Sequence, residues 1–340
     1  MNNTRNSNIE LIRIIAMTFI VWGHILGHGL DGNLSITNSI YPFTVIGVNL
    51  FVLITGYFGI NFKWKSLINL VGITIFYYLI SLICSIVFFH ETIVPYKIIN
   101  LFLPISHNGY YWFISAYIFL FLLSPIFSIA LKNISNRQLL IFIAILTYIN
   151  CASGWFFNNE INFSGYNTMQ FIYLYFIGHC LSRFKIQGKL RKYQWLIIYL
   201  AFTIINPLIF QSHPSKILRY NNPFVIAATI SLFCFISSYD FKSKVVNFIA
   251  SCTLPIYLLQ DGMLGQNIYK LQYIFYQTHS DNLSLLIGFI LLCTICFFIV
   301  SIIIEPLRKR LMNPLIDWIS KIFEKFNLDV FILLKGIIKQ

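Results

Sequence analysis

Long apolar runs separated by short polar segments make up most of the chain. A helix needs about 20 mostly apolar residues to cross the hydrocarbon layer of a membrane. Candidate stretches lie at residues 9–29, 41–60, 67–89, 110–130, 138–157, 168–182, 193–210, 223–239, 246–266 and 283–304. Loops and open strands cannot cross lipid, because their backbone N–H and C=O groups would stay unpaired there. We therefore predict an all-α, polytopic membrane bundle of about ten transmembrane helices.

Lys and Arg residues are distributed unevenly over the two sides of this predicted bundle. With the N-terminus in the cytoplasm, 19 of the 24 Lys and Arg residues lie on the cytoplasmic side and four lie in the opposite loops. The remaining one, Arg13, lies inside the first apolar run. Cytoplasmic loops of membrane proteins carry such an excess of positive charge. The pattern predicts that both termini are cytoplasmic.

The composition excludes several other classes of protein. Of the 340 residues, 58% are apolar and only 10% are charged, with a mean hydropathy of +0.74. A soluble domain has about a quarter charged residues, so a soluble enzyme is excluded. The net charge of +13 sits in short clusters between apolar runs, and we expect no nucleic-acid partner. Cys293 and Cys296 have the spacing of half a metal site, but no second pair completes it, and we predict no metal.

One face of the first predicted helix is polar. At 100° per residue, Glu10, Arg13, Met17, His24 and His28 fall within a sector of about 60°. Ionisable groups inside a membrane are expensive and indicate a functional site. Glu10 can pair with Arg13 at a spacing of three residues. A cation near the cytoplasm and an imidazole deeper in the membrane suit an enzyme that takes an anionic donor from one side and serves an acceptor toward the other.

The alternative interpretation of this face is structural. Glu10 and Arg13 would then only pair at the interface, and His24 would fill a packing defect. The enzymatic interpretation requires more. It requires that Arg13 and His24 project from the same side of the helix into a common cavity that the donor can enter.

Motifs along the chain resemble those of the acyltransferase family 3 membrane proteins. The first helix carries an acid, Arg13, ten further residues and then His24, within the segments ELIRIIA and VWGH. Later matches follow in order along nearly the whole chain. They lie at residues 49–57, 111–125, 176–178 and 254–261. Asn49 stands where many members have Asp, and Gln260 stands where His is common.

This resemblance implies a fold and an activity. The family's fold is a bundle of about ten helices that moves acyl groups, usually acetyl from acetyl-CoA, onto sugar hydroxyls. We therefore expect an acetyl-CoA-dependent O-acetyltransferase of a bacterial inner or plasma membrane. Its acceptor would be a cell-surface or cell-wall polysaccharide or a lipid-linked glycan precursor. A homo-oligomer or a partner in glycan assembly is left open.

Roles can be assigned to further residues. Gln260 and Asp261 lie at the same predicted depth in the membrane as His24, so we expect one of them to orient the His24 ring. The residues predicted to be catalytic are Glu10, Arg13, His24 and Asp261. The remaining assignments are donor binding by Arg13, Lys63 and Lys65, and substrate binding by Asn49, Tyr111, Trp112 and Gln260. A snorkelling role for the two lysines and an interfacial aromatic belt for Tyr111 and Trp112 are the structural alternatives.

Two domains and one competing function complete these expectations. Residues 1–304 would form the transmembrane acyltransferase domain, with Glu305-Pro306 ending the last span. Residues 305–340 would form a cytoplasmic tail with an amphipathic helix on the membrane surface. The competing function is a transporter or flippase for a lipid-linked glycan, in which the polar face of helix one would line a pathway.

Overall fold

The computed structural model of the protein describes residues 6–30, 35–92, 94–102, 111–159, 162, 164–279 and 282–325. Within these residues every long regular element is a helix, and the predicted all-α class is confirmed. The helices are α1 Ser7–His24, α2 Ser35–Thr44, α3 Gly47–Phe58, α4 Trp64–Phe89, α5 Pro95–Phe102, α6 Trp112–Asn133, α7 Asn136–Thr147, α8 Thr168–Arg183, α9 Lys192–Ile209, α10 Pro214–Ile217, α11 Pro223–Ser237, α12 Lys244–Ala250, α13 Thr253–Asp261, α14 Met263–His279 and α15 Leu283–Lys325. Short π-helical segments extend α1 over Ile25–Gly29 and α7 over Tyr148–Phe156.

Seven helical segments among the described residues are long and apolar enough to cross a membrane. They are Ser7–Gly29, Ile40–Phe58, Trp64–Phe89, Trp112–Asn133, Asn136–Phe156, Lys192–Ile209 and Ser284–Glu324. Each matches a predicted span, so the protein is a multi-pass membrane protein. The predicted spans at 168–182 and 223–239 form helices of 16 and 15 residues. The total of ten spans and the cytoplasmic termini stay predictions.

Local sequence signals fix where several helices begin. Ser135 accepts a hydrogen bond from the backbone of Gln138, whose side chain bonds back to Ser135, and this capping box starts α7. Asn222 caps α11 by accepting from Phe224 N at 2.8 Å. Pro223 follows at the first helical position, where its missing N–H costs nothing.

Glycines let three helices approach closely in the centre of the bundle. α3 packs extensively on α8 and also contacts α1. A Cβ atom at Gly178 of α8 would lie 2.7 Å from the backbone nitrogen of Tyr57 in α3. A Cβ atom at Gly47 would lie 2.7 Å from the carbonyl oxygen of Ala16 in α1. Small residues at such crossings are typical of membrane helices, which gain their packing energy from close backbone contact.

The predicted ninth span does not form one helix, and this part of the prediction is wrong. Residues 246–266 are divided among α12, α13 and the start of α14. The second break falls at Gly262, where a Cβ atom would lie 2.7 Å from the hydroxyl of Ser81 in α4. That hydroxyl accepts a hydrogen bond from Leu264 N at 2.8 Å, which starts α14. Gln260 and Asp261 consequently lie at the open C-terminal end of α13.

The last helix does not end at Glu305, contrary to the sequence-based expectation. α15 continues through Pro306 to Lys325, so the predicted boundary at 304/305 lies inside one helix. Proline removes one hydrogen bond there, but the following turns pack on α4. Ile316 lies against Gly72, and the ring of Phe323 lies 5.5 Å from that of Trp64. Residues 326–340 of the predicted tail lie outside the described residues.

The packing at Gly178 generates a prediction about stability. Gly178→Ala should lower the free energy of unfolding by about 1–3 kcal/mol, because the added methyl group meets backbone atoms of α3 that cannot move away. Thermal unfolding of the purified protein in detergent measures the effect. Gly288→Ala is the matched control, since nothing lies within 4 Å of a Cβ atom at this helical glycine. Equal unfolding temperatures for the two variants would contradict this account of the packing.

Candidate active site

Glu10 and Arg13 form the predicted ion pair on α1. Arg13 Nη1 lies 2.6 Å from Glu10 Oε1. The Glu10 side chain is nearly buried, whereas the Arg13 side chain is 33% exposed. The pair therefore holds the carboxylate inside the bundle and leaves the guanidinium group in contact with open space.

That open space is a cavity of about 470 Å³, called here the Arg13 cavity. Its volume lies within the range of small-molecule binding sites, about 300–1,000 Å³. Residues from α1, α3, α4, α6, α12, α13 and α15 line it, together with Ser251 between α12 and α13. The polar side chains of its wall are Arg13, Thr55, Ser66, Asn69, Tyr117, Ser251, Thr253, Tyr257, Glu305, Arg308 and Lys309. Arg13 and Ser66 lie near the starts of α1 and α4, the helix ends that the charge pattern predicts to be cytoplasmic.

His24 lies at the other end of α1 and is held by Gln260. His24 Nδ1 lies 2.9 Å from Gln260 Oε1, which also accepts a hydrogen bond from the Tyr269 hydroxyl at 2.8 Å. An amide oxygen only accepts, so His24 Nδ1 carries the proton in this arrangement. The other ring nitrogen, Nε2, then holds the lone pair that a general base needs.

Asp261 stands beside His24 without a hydrogen bond to it. Its Oδ1 atom is 3.9 Å from His24 Nδ1, which is beyond hydrogen-bond distance. Its Oδ2 atom accepts from the Tyr257 hydroxyl at 2.5 Å and from the backbone nitrogen of Tyr111 at 3.2 Å. Of the two predicted partners, the structure thus brings Gln260 into contact with the imidazole and leaves Asp261 as a nearby charge.

Tyr111 has a structural position at the start of α6. It is buried and adopts the left-handed conformation with φ of 60°, which side chains other than glycine rarely take. Besides its N–H bond to Asp261, its hydroxyl donates to Leu258 O at 2.7 Å. These bonds tie α6 to α13 and support the strained backbone. The structure does not place Tyr111 on the wall of the Arg13 cavity.

Trp112 and Asn49 both support Tyr220. The Trp112 ring stacks on the Tyr220 ring with 5.9 Å between centroids. Asn49 is fully buried, and its Nδ2 atom donates to Tyr220 O at 2.9 Å. Gln170 Nε2 donates to the same oxygen at 2.9 Å. Asn49 therefore positions the Tyr220 segment and has no exposed surface for a ligand.

Tyr220 in turn lines a small space beside the imidazole, called here the His24 hollow. His24, Tyr41, Thr44 and Tyr166 contribute to the same wall. The volume of about 20 Å³ is enough for one water molecule. A sugar ring requires this wall to open.

Arg13 and His24 face different spaces. His24 is not among the residues that line the Arg13 cavity, and Arg13 does not line the His24 hollow, so the expectation that one of these spaces serves both groups is wrong. Ile20 lines both of them. It precedes His24 by one helical turn, about 6 Å along the axis of α1. The wall of the Arg13 cavity thus includes a residue one helical turn from His24.

Lys63 and Lys65 do not line the Arg13 cavity. Lys65 Nζ instead lies 2.7 Å from Asp317 Oδ1, with both side chains about half exposed. The basic groups of the cavity wall in α15 are Arg308 and Lys309, which the sequence analysis did not assign. The sequence does contain a signal for Arg308, because Glu305 precedes it by three residues, the same spacing as between Glu10 and Arg13.

The comparison with protein families agrees with this arrangement. A family model described as an acyltransferase domain, that of acyltransferase family 3, matches residues 6–305. The chain belongs to this family, and the protein is a membrane acyltransferase. No curated protein and no solved structure matches the chain at a significant level.

The contacts of His24 generate a prediction about its protonation. Gln260→Ala removes the acceptor of the Nδ1 proton, and we expect the ring to lose its preference for the Nδ1–H tautomer. Nitrogen NMR of histidine-labelled protein measures the tautomer. Asp261→Asn is the matched comparison, because the asparagine oxygen can still accept from Tyr257 and Tyr111. A tautomer change in Asp261→Asn and none in Gln260→Ala would contradict the assignment.

Proposed function

We propose that the protein is an O-acetyltransferase that moves an acetyl group from acetyl-CoA to a hydroxyl of a cell-surface or cell-wall polysaccharide or its lipid-linked precursor. The site is proposed to lie in the bacterial inner or plasma membrane. The observation that carries the proposal is the position of His24. Its Nδ1 atom is bound by Gln260, its Nε2 atom is the free base, and the wall of the Arg13 cavity includes a residue one helical turn away.

The proposed reaction uses His24 as the general base. Nε2 takes the proton of the acceptor hydroxyl while the hydroxyl oxygen forms a bond to the thioester carbonyl carbon. The carbon–sulfur bond then breaks, and the imidazolium returns the proton to the CoA thiolate. Gln260 keeps the Nδ1 proton in place through both steps. The Asp261 carboxylate, 3.9 Å from Nδ1, favours the positive charge that the ring carries between them.

The donor is proposed to enter through the Arg13 cavity. A thioester reaches His24 from this side only if its acyl end passes Ile20, which lines both spaces. Arg13 keeps its proposed role as a donor-binding group, because it is a partly exposed cation on the cavity wall. Lys63 and Lys65 lose that role, because they lie outside the wall and Lys65 pairs with Asp317.

The acceptor is proposed to approach from the His24 hollow. Trp112, Tyr166 and Tyr220 form an aromatic cluster there, with 4.4 Å between the ring centroids of Tyr166 and Tyr220. Aromatic rings combine an apolar face with a polar edge, and this suits contact with a sugar. Displacement of Tyr41 or Tyr166 would widen the hollow toward His24.

The role of His24 generates a prediction about activity. His24→Ala should lower the rate of acetyl transfer about 10²–10⁴-fold, the usual contribution of a general base. Purified protein with radiolabelled acetyl-CoA and candidate glycans gives two readouts, CoA release and label on the sugar. His213→Ala, a change of an exposed histidine, is the control. Glycan transport without thioester consumption by the wild type would instead support the transporter or flippase.

The polysaccharide acceptor generates a prediction in cells. Deleting the gene should remove acetyl esters from the surface polysaccharide, and wild type but not His24→Ala should restore them. Chemical release and quantification of acetate from the isolated polysaccharide measures the esters. An unchanged ester content in the deletion strain, with the protein present in the parent, would contradict a polysaccharide acceptor.

A further inference from the structure

Three buried residues, Tyr77, Glu305 and Arg308, and the partly exposed Lys309 form a polar cluster in the middle of α15 and beside it, called here the Glu305 cluster. Arg308 donates to both carboxylate oxygens of Glu305, from Nε at 2.9 Å and from Nη2 at 2.8 Å. The Tyr77 hydroxyl donates to the same carboxylate at 3.1 Å, and Lys309 Nζ lies 3.5 Å from it. Arg308 is 2% exposed, so this guanidinium group is almost completely removed from solvent.

One donor group of the cluster has no partner. Arg308 Nη1 is buried and makes no hydrogen bond within the described part of the chain. Leaving a buried charged donor unpaired is expensive, and such groups are rare in native proteins. Arg308 lines the Arg13 cavity together with Lys309. The residue that carries the unpaired group therefore belongs to the wall of a space that is large enough for a ligand.

The charge on this wall favours an anion. The charged side chains of the cavity wall are three cations, Arg13, Arg308 and Lys309, and one acid, Glu305. Glu10 behind the wall pairs with Arg13 and Glu305 pairs with Arg308, so the charge of Lys309 is left in excess. Glu305 already accepts two hydrogen bonds from Arg308, which leaves the Nη1 group for another acceptor. Lys309 is 44% exposed and can reach a ligand in the cavity mouth.

We propose that Arg308, assisted by Lys309, is the phosphate-binding subsite for the donor in the Arg13 cavity. This inference rests on the proposed function, because it assumes that the donor is a CoA thioester. Arginine is suited to phosphate oxygens through directed, charge-assisted hydrogen bonds. Both residues lie beyond residues 6–305, the part of the chain that the family model matches. The subsite is thus a property read from this chain's last helix.

The geometry of the cavity is consistent with that use. Arg308 and Lys309 lie on the last helix, whereas Ile20, Phe51 and Phe113 provide apolar wall elsewhere. A CoA thioester has phosphates at one end and an uncharged arm that carries the acyl group at the other. Phosphate at Arg308 and the arm along the apolar wall direct the thioester toward Ile20 and His24.

The test compares ligands with and without phosphate. Dissociation constants are measured for CoA and for acetyl-pantetheine, which has the arm but no phosphate. Glu305→Gln/Arg308→Gln removes the pair together, because loss of Arg308 alone would leave a buried unpaired carboxylate. CoA should bind about ten- to hundred-fold more weakly to this variant, while acetyl-pantetheine binding stays unchanged.

Two further variants distinguish loss of the binding site from misfolding of the protein. Arg310→Gln changes an exposed arginine on the same helix that does not line the cavity, and it should bind CoA as the wild type does. Lys309→Gln, at a partly exposed position, should weaken CoA binding several-fold without changing the unfolding temperature. If the double variant does not fold, an unchanged affinity in Lys309→Gln overturns the proposal.

The outcomes separate this inference from the proposed function. Equal CoA affinity in the wild type and the folded double variant overturns the phosphate subsite, even when acetyl transfer is observed. If the wild type binds neither CoA nor acetyl-pantetheine, the donor assignment and the proposed function are wrong. Stabilisation of the wild type by inorganic phosphate, lost in the double variant, would still support an anion site at Arg308.

Discussion

An acidic side chain buried among membrane helices is stable only beside a partner, because lipid and apolar side chains do not replace the water it loses. Each such acid in the centre of this protein has one. Glu10 meets Arg13, Glu305 meets Arg308, and Asp261 accepts from Tyr257 and from the backbone of Tyr111. The two ion pairs each lie within one helix, whereas the bonds of Tyr77 to Glu305 and of the Tyr111 backbone to Asp261 connect different helices.

The division of the 246–266 segment into short helices serves the same site. A continuous helix would place Gln260 and Asp261 in the middle of a span with their backbone groups all paired. Because α13 ends at Asp261, both side chains project from a helix end toward α1 and α6. Gly262 lets Ser81 approach, and Ser81 restores a backbone hydrogen bond by accepting from Leu264 N.

The sequence predicts those features of the site that depend on the geometry of a single helix. The polar face of α1, the Glu10–Arg13 pair and the depth shared by His24 and Gln260 follow from helical periodicity and span length. The choice between Gln260 and Asp261 did not follow, because adjacent residues at a helix end differ only in side-chain direction. The roles of Asn49 and Tyr111 were also out of reach, since their partners lie far away in the sequence.

The hydropathy pattern also predicted most of the helices, but it missed the breaks within residues 246–266 and placed the end of the last helix too early. It cannot distinguish a continuous span from three short helices when Pro255 and Gly262 interrupt an apolar run. It treated Glu305-Pro306 as a stop, because the buried Tyr77 and Arg308 that accommodate Glu305 are visible only after α4 and α15 pack together. Donor binding was therefore predicted for Lys63 and Lys65 at the start of α4, whereas the basic residues Arg308 and Lys309 of α15 line the cavity.

Ile20 lines both the Arg13 cavity and the His24 hollow, and this bears on the permeability of the membrane to protons. A wet channel joining the two faces of the membrane would conduct protons and dissipate the gradient that drives synthesis and uptake. An aliphatic side chain on both walls disfavours a continuous column of water at this level, because apolar constrictions lose their water.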